Sequence, residues 1–340
     1  PEIGSTESPR HGRFLRHGAG GRIVVQIASI GVHIIDVLGR PVSEIPTGQN
    51  IALIDEIRVT VAGTAGGTAV DLAKLGADVS SMGATGDDEL GKVMRGILER
   101  YGIDSSGMRT HADVPTSATM LPIRPNGERP ALHVMGANAV FSAKDVDLSA
   151  LGAFDVVHVG GTFLMPAFDG PDAAAVLAAA KEQGAITTMD VLGVQKDGMA
   201  DILRPCMPHL DYFMPNIEEA EMVSGLSTRS DLAGFFLDMG ATSVILKMGD
   251  QGASINRVGE AELRVPAFAV DVVDTTGCGD AFDAGFMLTT AMGWEIDQAA
   301  RFGAACGSLV ATGLGSDAGI VDFDSTRAFM ETSETIPLVD

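Results

Sequence analysis

Short apolar runs alternate with segments of helical periodicity along almost the whole chain, and no other feature constrains the fold as much. Runs that are apolar throughout are typical of strands buried on both faces of a parallel sheet, and amphipathic segments between them are typical of helices covering those faces. The sequence therefore predicts an α/β protein with a doubly wound, mostly parallel sheet. The alternating segments are residues 23–30, 68–75, 79–82, 89–101, 156–159, 173–183, 185–189, 210–214, 218–224, 232–239, 243–247, 281–292 and 298–311.

Two stretches, at about 36–60 and 116–135, interrupt this alternation. In the second, Ser117 and Thr119 alternate with apolar neighbours before a Pro-Asn-Gly-Glu turn, which favours an antiparallel hairpin. Residues 1–21 are rich in Gly, Ser, Arg and His, so we interpret them as a disordered extension or a remnant of cloning. Residues 22–335 are predicted to form one domain.

The balance of charge is strongly acidic, with 45 acidic and 23 basic residues and a net charge of −22. Such a surface repels polynucleotide phosphates, so we expect no nucleic-acid partner. The 3 cysteines are too scattered for a disulfide framework, and the 7 histidines show no zinc-ligand spacing. We find no membrane span or secretory pattern either, and we expect a cytoplasmic protein.

A glycine-rich turn at 274–279 leads into the helical segment 281–292, after an extended stretch at 265–273. The turn reads Asp-Thr-Thr-Gly-Cys-Gly and is followed by Asp280. Backbone N–H groups and the positive end of a helix dipole converge at such a turn, which suits a phosphate or a developing oxyanion. Taken alone, the segment fits equally well a tight turn in which Asp280 caps its helix.

This segment resembles the second motif of the ribokinase-like (PfkB) family of sugar and nucleoside kinases, Asp-Thr-x-Gly-small-Gly-Asp. The resemblance implies that Gly277, Cys278 and Gly279 supply anion-hole amides and that Asp280 is the base activating the substrate hydroxyl. Cys278 stands where the family has Ala or Gly, but a hole of backbone amides tolerates a small side chain. Near a helix N-terminus we expect Asp280 to stay ionised.

Residues 62–69 resemble the first family motif, Gly-Gly-x-x-x-Asn, which contacts the sugar. Ala62 replaces the first Gly of this motif, and Gly67 replaces its Asn. The alternative interpretation of the segment is a helix start that packs tightly on the sheet. In the family that the chain resembles, the stretches matching 36–60 and 116–135 form a small β lid over the substrate. Asp36 falls where the family holds the sugar, although such an Asp can also be a solvated turn residue. The implied substrate-binding residues are Asp36, Gly63, Gly66, Gly67 and Asn138.

The family's Asn-x-x-Glu motif falls on Asn216 and Glu219, which would bind Mg²⁺ through water and could equally cap a helix. Lys247 replaces a frequent Thr, and it could contact a phosphate or be a surface lysine. The implied nucleotide-binding residues are Asn216, Lys247, Gly249, Gly252, Thr275, Ala304 and Gly307. Some members bind a monovalent cation such as K⁺ at positions matching Asp274, Thr276 and Ser316.

The resemblance implies an enzyme that uses ATP and Mg²⁺ to phosphorylate a hydroxyl of a sugar or sugar-like substrate, and it implies a homodimer. A nucleoside kinase is the alternative, disfavoured because neither lid segment contains an aromatic residue. A non-catalytic sugar or nucleotide sensor is a further alternative, since Gly67 departs from the motif. Leu192 also departs, because it stands where an Asn of the family's Asp-x-Asn-x-Arg segment is expected after Asp190.

Overall fold

The strands form one large sheet, one small sheet and a two-stranded ladder near the N-terminus. The computed structural model describes residues 16–17 and 23–338. Within them the strands are β1 (Arg16–His17), β2 (Ile23–Val24), β3 (Gln26–Gly31), β4 (Ile34–Arg40), β5 (Glu56–Ala62), β6 (Asp78–Gly86), β7 (Asp104–His111), β8 (Ala118–Pro122), β9 (Leu132–Val134), β10 (Val156–Thr162), β11 (Ile186–Val191), β12 (Tyr212–Phe213), β13 (Ser243–Lys247), β14 (Ala253–Arg257) and β15 (Leu263–Val265).

Helices connect most of the strands of the large sheet. In chain order they are α1 (Thr64–Lys74), α2 (Glu89–Arg100), α3 (Pro171–Glu182), α4 (Met199–Leu203), α5 (Ile217–Ser224), α6 (Arg229–Asp238), α7 (Cys278–Ala291), α8 (Ile296–Val310) and α9 (Phe323–Thr332). Side-chain caps fix several of the starts, because an oxygen of Asp88, Thr228 or Asp322 accepts a backbone N–H of the first turn.

The large sheet has the strand order β15-β14-β13-β12-β11-β10-β3-β6-β7. The strands from β13 through to β7 pair in parallel, and β14 and β15 add an antiparallel edge. This confirms the predicted doubly wound, mostly parallel α/β fold. The chain reverses its direction of progress across the sheet between β3 and β10, and ligands of such sheets bind outside the carboxyl ends of the strands at this point.

Apolar side chains bury both faces of the large sheet. One cluster joins the sheet to α3, α5 and α6, and it includes the buried Phe168, Leu177 and Phe236. The other joins the sheet to α1, α2, α7 and α8, and it includes Leu72 and Phe286. Because α7 and α8 are anchored in this second cluster, the start of α7 rests on a close-packed support.

The small sheet, with the order β5-β4-β8-β9, is the lid sheet of this protein. The predicted hairpin is present, since β8 and β9 pair antiparallel. Strand alternation gives the lid sheet two unlike faces. One face carries Asp36 with Thr119 and His133 in adjacent register. The opposite face carries exposed apolar side chains.

Several boundaries differ from the sequence predictions. The helix predicted at 281–292 begins at Cys278, and its N-cap is Gly277, whose left-handed φ of 80° favours glycine. The strand predicted at 210–214 shortens to β12. Of the predicted tail, residues 16 and 17 pair with β2, and the rest lies outside the described residues. None of the helices in the described ranges combines the length and apolar character needed to cross a bilayer.

Candidate active site

A cavity of about 1010 Å³ lies between the lid sheet, the carboxyl ends of the large sheet and the start of α7. Most residues predicted for the site line it, although they come from distant parts of the chain. The predicted residues in its wall are Asp36, Gly63, Asn216, Glu219, Lys247, Gly249, Gly252, Thr275, Thr276, Gly277, Cys278, Gly279, Asp280, Ala304, Gly307 and Ser316. Gly66, Gly67, Asn138 and Asp274 are not in the wall.

The start of α7 presents backbone amides to this cavity. Gly277 is the N-cap, and Cys278, Gly279 and Asp280 form the first turn, whose N–H groups have no acceptor within the helix. Only glycine fits at 277, because a Cβ would lie 2.5 Å from the Cβ of Ser316. A negatively charged group at this point would meet the N–H groups of the helix start and the positive end of the helix dipole.

Asp280 lies at the same helix start, but its ionisation differs from the expectation. Burial raises the pKa of its carboxyl to about 7, and the neighbouring charge of Asp190 acts in the same direction while Lys247 opposes it. Desolvation and a second acid therefore outweigh the helix dipole. The expectation of a fully ionised carboxylate was wrong, and Asp280 is poised to exchange a proton near neutral pH.

Lys247 is buried beneath the start of α7, so the alternative of a surface lysine is wrong. Its Nζ lies 2.8 Å from Asp283 Oδ2 and 3.7 Å from Asp190 Oδ2. Burial alone would lower the pKa of this amine, but the carboxylates of Asp283, Asp190 and Glu219 raise it above its usual value. Lys247 is thus a permanent cation in the floor of the cavity, directly below Gly279.

Asp36 projects from β4 of the lid sheet into the opposite side of the cavity. Burial raises the pKa of its carboxyl to about 6, a hydrogen bond from Thr119 lowers it, and the charge of Asp280 raises it again. The Thr119 hydroxyl also lies 3.1 Å from Nδ1 of His133. The three polar groups form a continuous row because their strands pair in register. Asp36 and Thr119 are buried and only His133 is exposed, so the alternative of a solvated turn residue at 36 is wrong.

The predicted first motif runs from the end of β5, at Ala62, through the N-cap Gly63 into the start of α1, which contains Gly66 and Gly67. At position 67 a Cβ would lie 3.0 Å from Oδ2 of Asp280, so α1 packs directly against the proposed base. Asn138 is fully buried and bonds the backbone of His33 through both ends of its amide, at 3.4 and 3.0 Å. These residues support the wall of the cavity from behind.

Asn216 and Glu219 form a capping box at the start of α5. Asn216 Oδ1 accepts the Glu219 N–H at 2.8 Å, and Glu219 Oε2 accepts the Asn216 N–H at 2.9 Å. Burial raises the pKa of the Glu219 carboxyl, and attraction to Lys247 opposes this rise. Both residues also line the cavity, so the capping interpretation is correct, and it leaves Glu219 Oε1 and the second lone pair of Asn216 Oδ1 for a ligand.

Asp274 lies just behind the wall and is bonded on several sides. Its oxygens accept the N–H of Thr276 at 2.7 Å and of Gly315 at 3.0 Å, and Oδ1 also accepts a hydrogen bond from Arg129. Ser316 Oγ is buried and has no hydrogen-bond partner among the described residues.

Four functional candidates were missed in the sequence: Thr119, Arg129, His158 and Asp283. Thr119 had a signal in the alternation of its hairpin. Asp283 follows Asp280 by three positions and therefore lies on a nearby face of α7. His158 is buried within reach of Asp190 and Asp283. No local pattern marks Arg129 or His158, since each meets its partner only through the tertiary fold.

Comparison with known proteins agrees with this geometry. The model of the pfkB family carbohydrate kinases matches residues 25–322. A ribokinase of Haemophilus influenzae is 27% identical over 84% of this chain and 90% of its own length. An ATP-dependent ribose-1-phosphate kinase of Halopiger xanaduensis is 30% identical over 85% of this chain and 92% of its own.

Among solved structures, the ribokinase of Thermotoga maritima superimposes with a TM-score of 0.75. It is 25% identical and covers 91% of this chain and 100% of its own. The ribokinase-like fold, the cavity at the carboxyl ends of the strands and the family match all agree. The chain belongs to the pfkB family of carbohydrate kinases, which are ATP-dependent phosphotransferases acting on sugar hydroxyls.

Proposed function

We propose that this kinase holds its sugar between Asp36 of the lid sheet and Asp280 of α7, and that Asp280 is the catalytic base. The observation that carries the proposal is the placement of both carboxylates in one cavity, near enough for the charge of Asp280 to raise the pKa of Asp36. Asp36 would accept hydrogen bonds from substrate hydroxyls. Asp280 would accept the proton of the hydroxyl that is phosphorylated.

In the transfer step, the sugar oxygen forms a bond to the γ-phosphorus of ATP while the bond from that phosphorus to the β-γ bridging oxygen breaks. The hydroxyl proton passes to Asp280, and ADP leaves. Charge on the transferring phosphoryl oxygens would be stabilised by the amides of residues 277–279 and by the permanent charge of Lys247. The remaining nucleotide-site candidates, Gly249, Gly252, Thr275, Ala304 and Gly307, would line the ATP side.

The donor set at the start of α5 fits a magnesium ion, because a carboxylate and an amide oxygen reach the cavity side by side. Asn216 and Glu219 would hold Mg²⁺ through its water shell, since their capping box already uses part of their capacity. When bound, the ion would neutralise phosphate charge. This arrangement lets so acidic a chain bind a polyanion without a basic surface.

A pentose of the ribose type is the first substrate candidate, because both relatives described above are named for ribose or ribose phosphate. A riboside is the second candidate. The cavity wall includes apolar side chains from the strands that also carry Asp36 and Thr119, namely Ile34 and Leu121, together with Leu192. Such a wall could cover an apolar or aromatic group attached to the sugar.

The lid sheet also supports the proposal of a homodimer. Its outer face exposes a row of apolar residues, and contiguous exposed apolar surface marks interaction sites. They are Ile57, Val59, Met120, Leu132 and Val134. A second copy would cover this face, and Met120→Glu would then halve the mass measured by light scattering. A monomeric mass for the unsubstituted protein in the same measurement would contradict the proposal.

The substrate class can be tested by ADP release from Mg·ATP across pentoses, pentose phosphates, hexoses, sugar acids and ribosides. We expect turnover with a ribose-type substrate, abolished in the Asp280→Asn variant. Turnover confined to hexoses or sugar acids would overturn the substrate class while leaving the base intact. Turnover that persists in the variant would overturn the role of Asp280.

A further inference from the structure

The carboxylate of Asp274 has little room for a metal ion. Its side chain is only 2% exposed. Oδ1 accepts the N–H of Thr276 and a hydrogen bond from the Arg129 guanidinium, and Oδ2 accepts the N–H of Gly315. Of the three residues that match a monovalent-cation site, two are therefore engaged with each other, and the Ser316 hydroxyl alone remains without a partner in the described part of the chain.

Arg129 reaches Asp274 from the lid. It follows the turn between β8 and β9, 145 residues from its partner, and it lines the cavity. Its side chain is a quarter exposed, so the guanidinium is not sealed off from a ligand. Nη2 approaches the hydroxyl of Thr275 at 3.5 Å, which places the positive charge beside the turn that leads to the anion-hole amides.

Arg129 and Lys247 are the basic side chains in the cavity wall, within the part of the chain that the structure describes. Lys247 is committed to Asp283 and Asp190. Arg129 therefore supplies the second fixed positive charge next to the phosphate side of the cavity. A monovalent cation at Asp274 would have to displace this guanidinium or bind beside a like charge, and both are unfavourable.

We propose that the Arg129 guanidinium takes the place of a monovalent cation at Asp274, so that this kinase works without K⁺. Arg129 is then a positioning residue that acts through Asp274 and holds the 274–276 turn, which sets the direction of the amides at 277–279. Because Arg129 belongs to the β8–β9 hairpin of the lid, its guanidinium reaches Asp274 only when this hairpin lies against the turn.

The test compares turnover in KCl and in tetramethylammonium chloride at equal ionic strength, using the preferred sugar and Mg·ATP. The unsubstituted enzyme should change less than about twofold. Arg129→Gln should lose about tenfold or more without K⁺ and regain several-fold with KCl, NH₄Cl or low guanidinium chloride. Arg124→Gln is the matched control, because this second arginine of the hairpin bonds the carbonyls of Val42 and Ser43.

Thermal unfolding without substrate gives a readout that does not depend on the identity of the sugar. The inference rests on the kinase activity, but KCl should raise the Tm of Arg129→Gln and leave that of the unsubstituted protein unchanged. Activation of the unsubstituted enzyme by K⁺ of more than about twofold would overturn the proposal. So would a folded Arg129→Gln variant that keeps full activity without K⁺, or one that is inactive and responds to no cation in either assay.

Discussion

The start of α7 and the lid sheet face each other across one cavity, but they are assembled in different ways. The α7 side uses four consecutive residues, 277–280, and a helix whose buried face is packed on α1 and α8. The lid side brings together Asp36, Thr119 and Arg129, which come from separated strands and a turn. The groups nearest the proposed chemistry are therefore encoded locally, whereas the groups nearest the substrate depend on strand register.

The two regions also differ in their support. The α7 side rests on the large sheet, both faces of which are covered by apolar side chains. It also rests on the buried ion pairs of Lys247 with Asp283 and Asp190. The lid sheet is covered on its inner face only and leaves its outer apolar face exposed. A close-packed support suits groups that must be held precisely, and a thin, separate sheet suits a cover that opens for substrate.

The largest expected effect is that of Asp280→Asn, which removes the proposed base but keeps the shape of the site. We expect kcat to fall about 10³-fold, because general base catalysis contributes factors of this order. Nucleotide binding, measured by calorimetry, should stay within about threefold of the original. Turnover near that of the unsubstituted enzyme with nucleotide still bound would show that α7 provides only a binding surface.

The next effect concerns the floor beneath α7. Lys247→Met leaves Asp283 and Asp190 buried without their cation, and removing one partner of a buried ion pair costs roughly 3–5 kcal/mol of unfolding free energy. Chemical denaturation measures this loss. Lys181→Met is the matched control, because Lys181 pairs with Asp211 at 3.1 Å in a half-exposed position, and exposed pairs contribute about 1 kcal/mol or less. An equal loss of unfolding free energy in the two variants would contradict the assignment of Lys247 to a buried ion pair that stabilises the fold.

A smaller effect is expected on the lid side. Thr119→Val removes the hydroxyl between Asp36 and His133 while keeping the shape of the side chain. We expect kcat/KM for the sugar to fall about tenfold, since one hydrogen bond to a charged group contributes roughly 1.5 kcal/mol. The KM for ATP should not change, and Thr119→Ser should restore the sugar parameters. A change confined to the KM for ATP would show that Thr119 contacts the nucleotide and not the sugar.

Much of the fold and part of the site could be predicted from the sequence, for a physical reason. The buried strands appear in the sequence as apolar runs, and the hairpin at 116–135 is indicated by alternating polar and apolar residues on either side of a turn. The α7 motif is contiguous, so its residue types and spacing are visible together. Asp36, Asn216 and Glu219 also reach the cavity wall, where the family motifs suggested they would be.

What could not be predicted depends on long-range packing. The ion pair of Lys247 with Asp283 joins β13 to α7, and the pair of Arg129 with Asp274 joins the lid to the α7 turn. The ionisation of Asp280 likewise follows from burial and from Asp190 on β11, which a helix-dipole argument from the local sequence omits. Asn138 was predicted to bind the substrate, but its side-chain amide bonds the backbone of His33, which the sequence does not show.

The pH dependence of single-turnover phosphoryl transfer tests the central claim most directly, which is that a buried Asp280 is the base. Burial raises the pKa of Asp280 to about 7, and only its ionised form accepts a proton. The rate should therefore fall about tenfold per pH unit below 7 and level off above it, and the residual rate of Asp280→Asn should lack this dependence. A rate that is flat from about pH 5.5 to 8.5 in the unsubstituted enzyme, or an identical profile in the variant, would contradict the account.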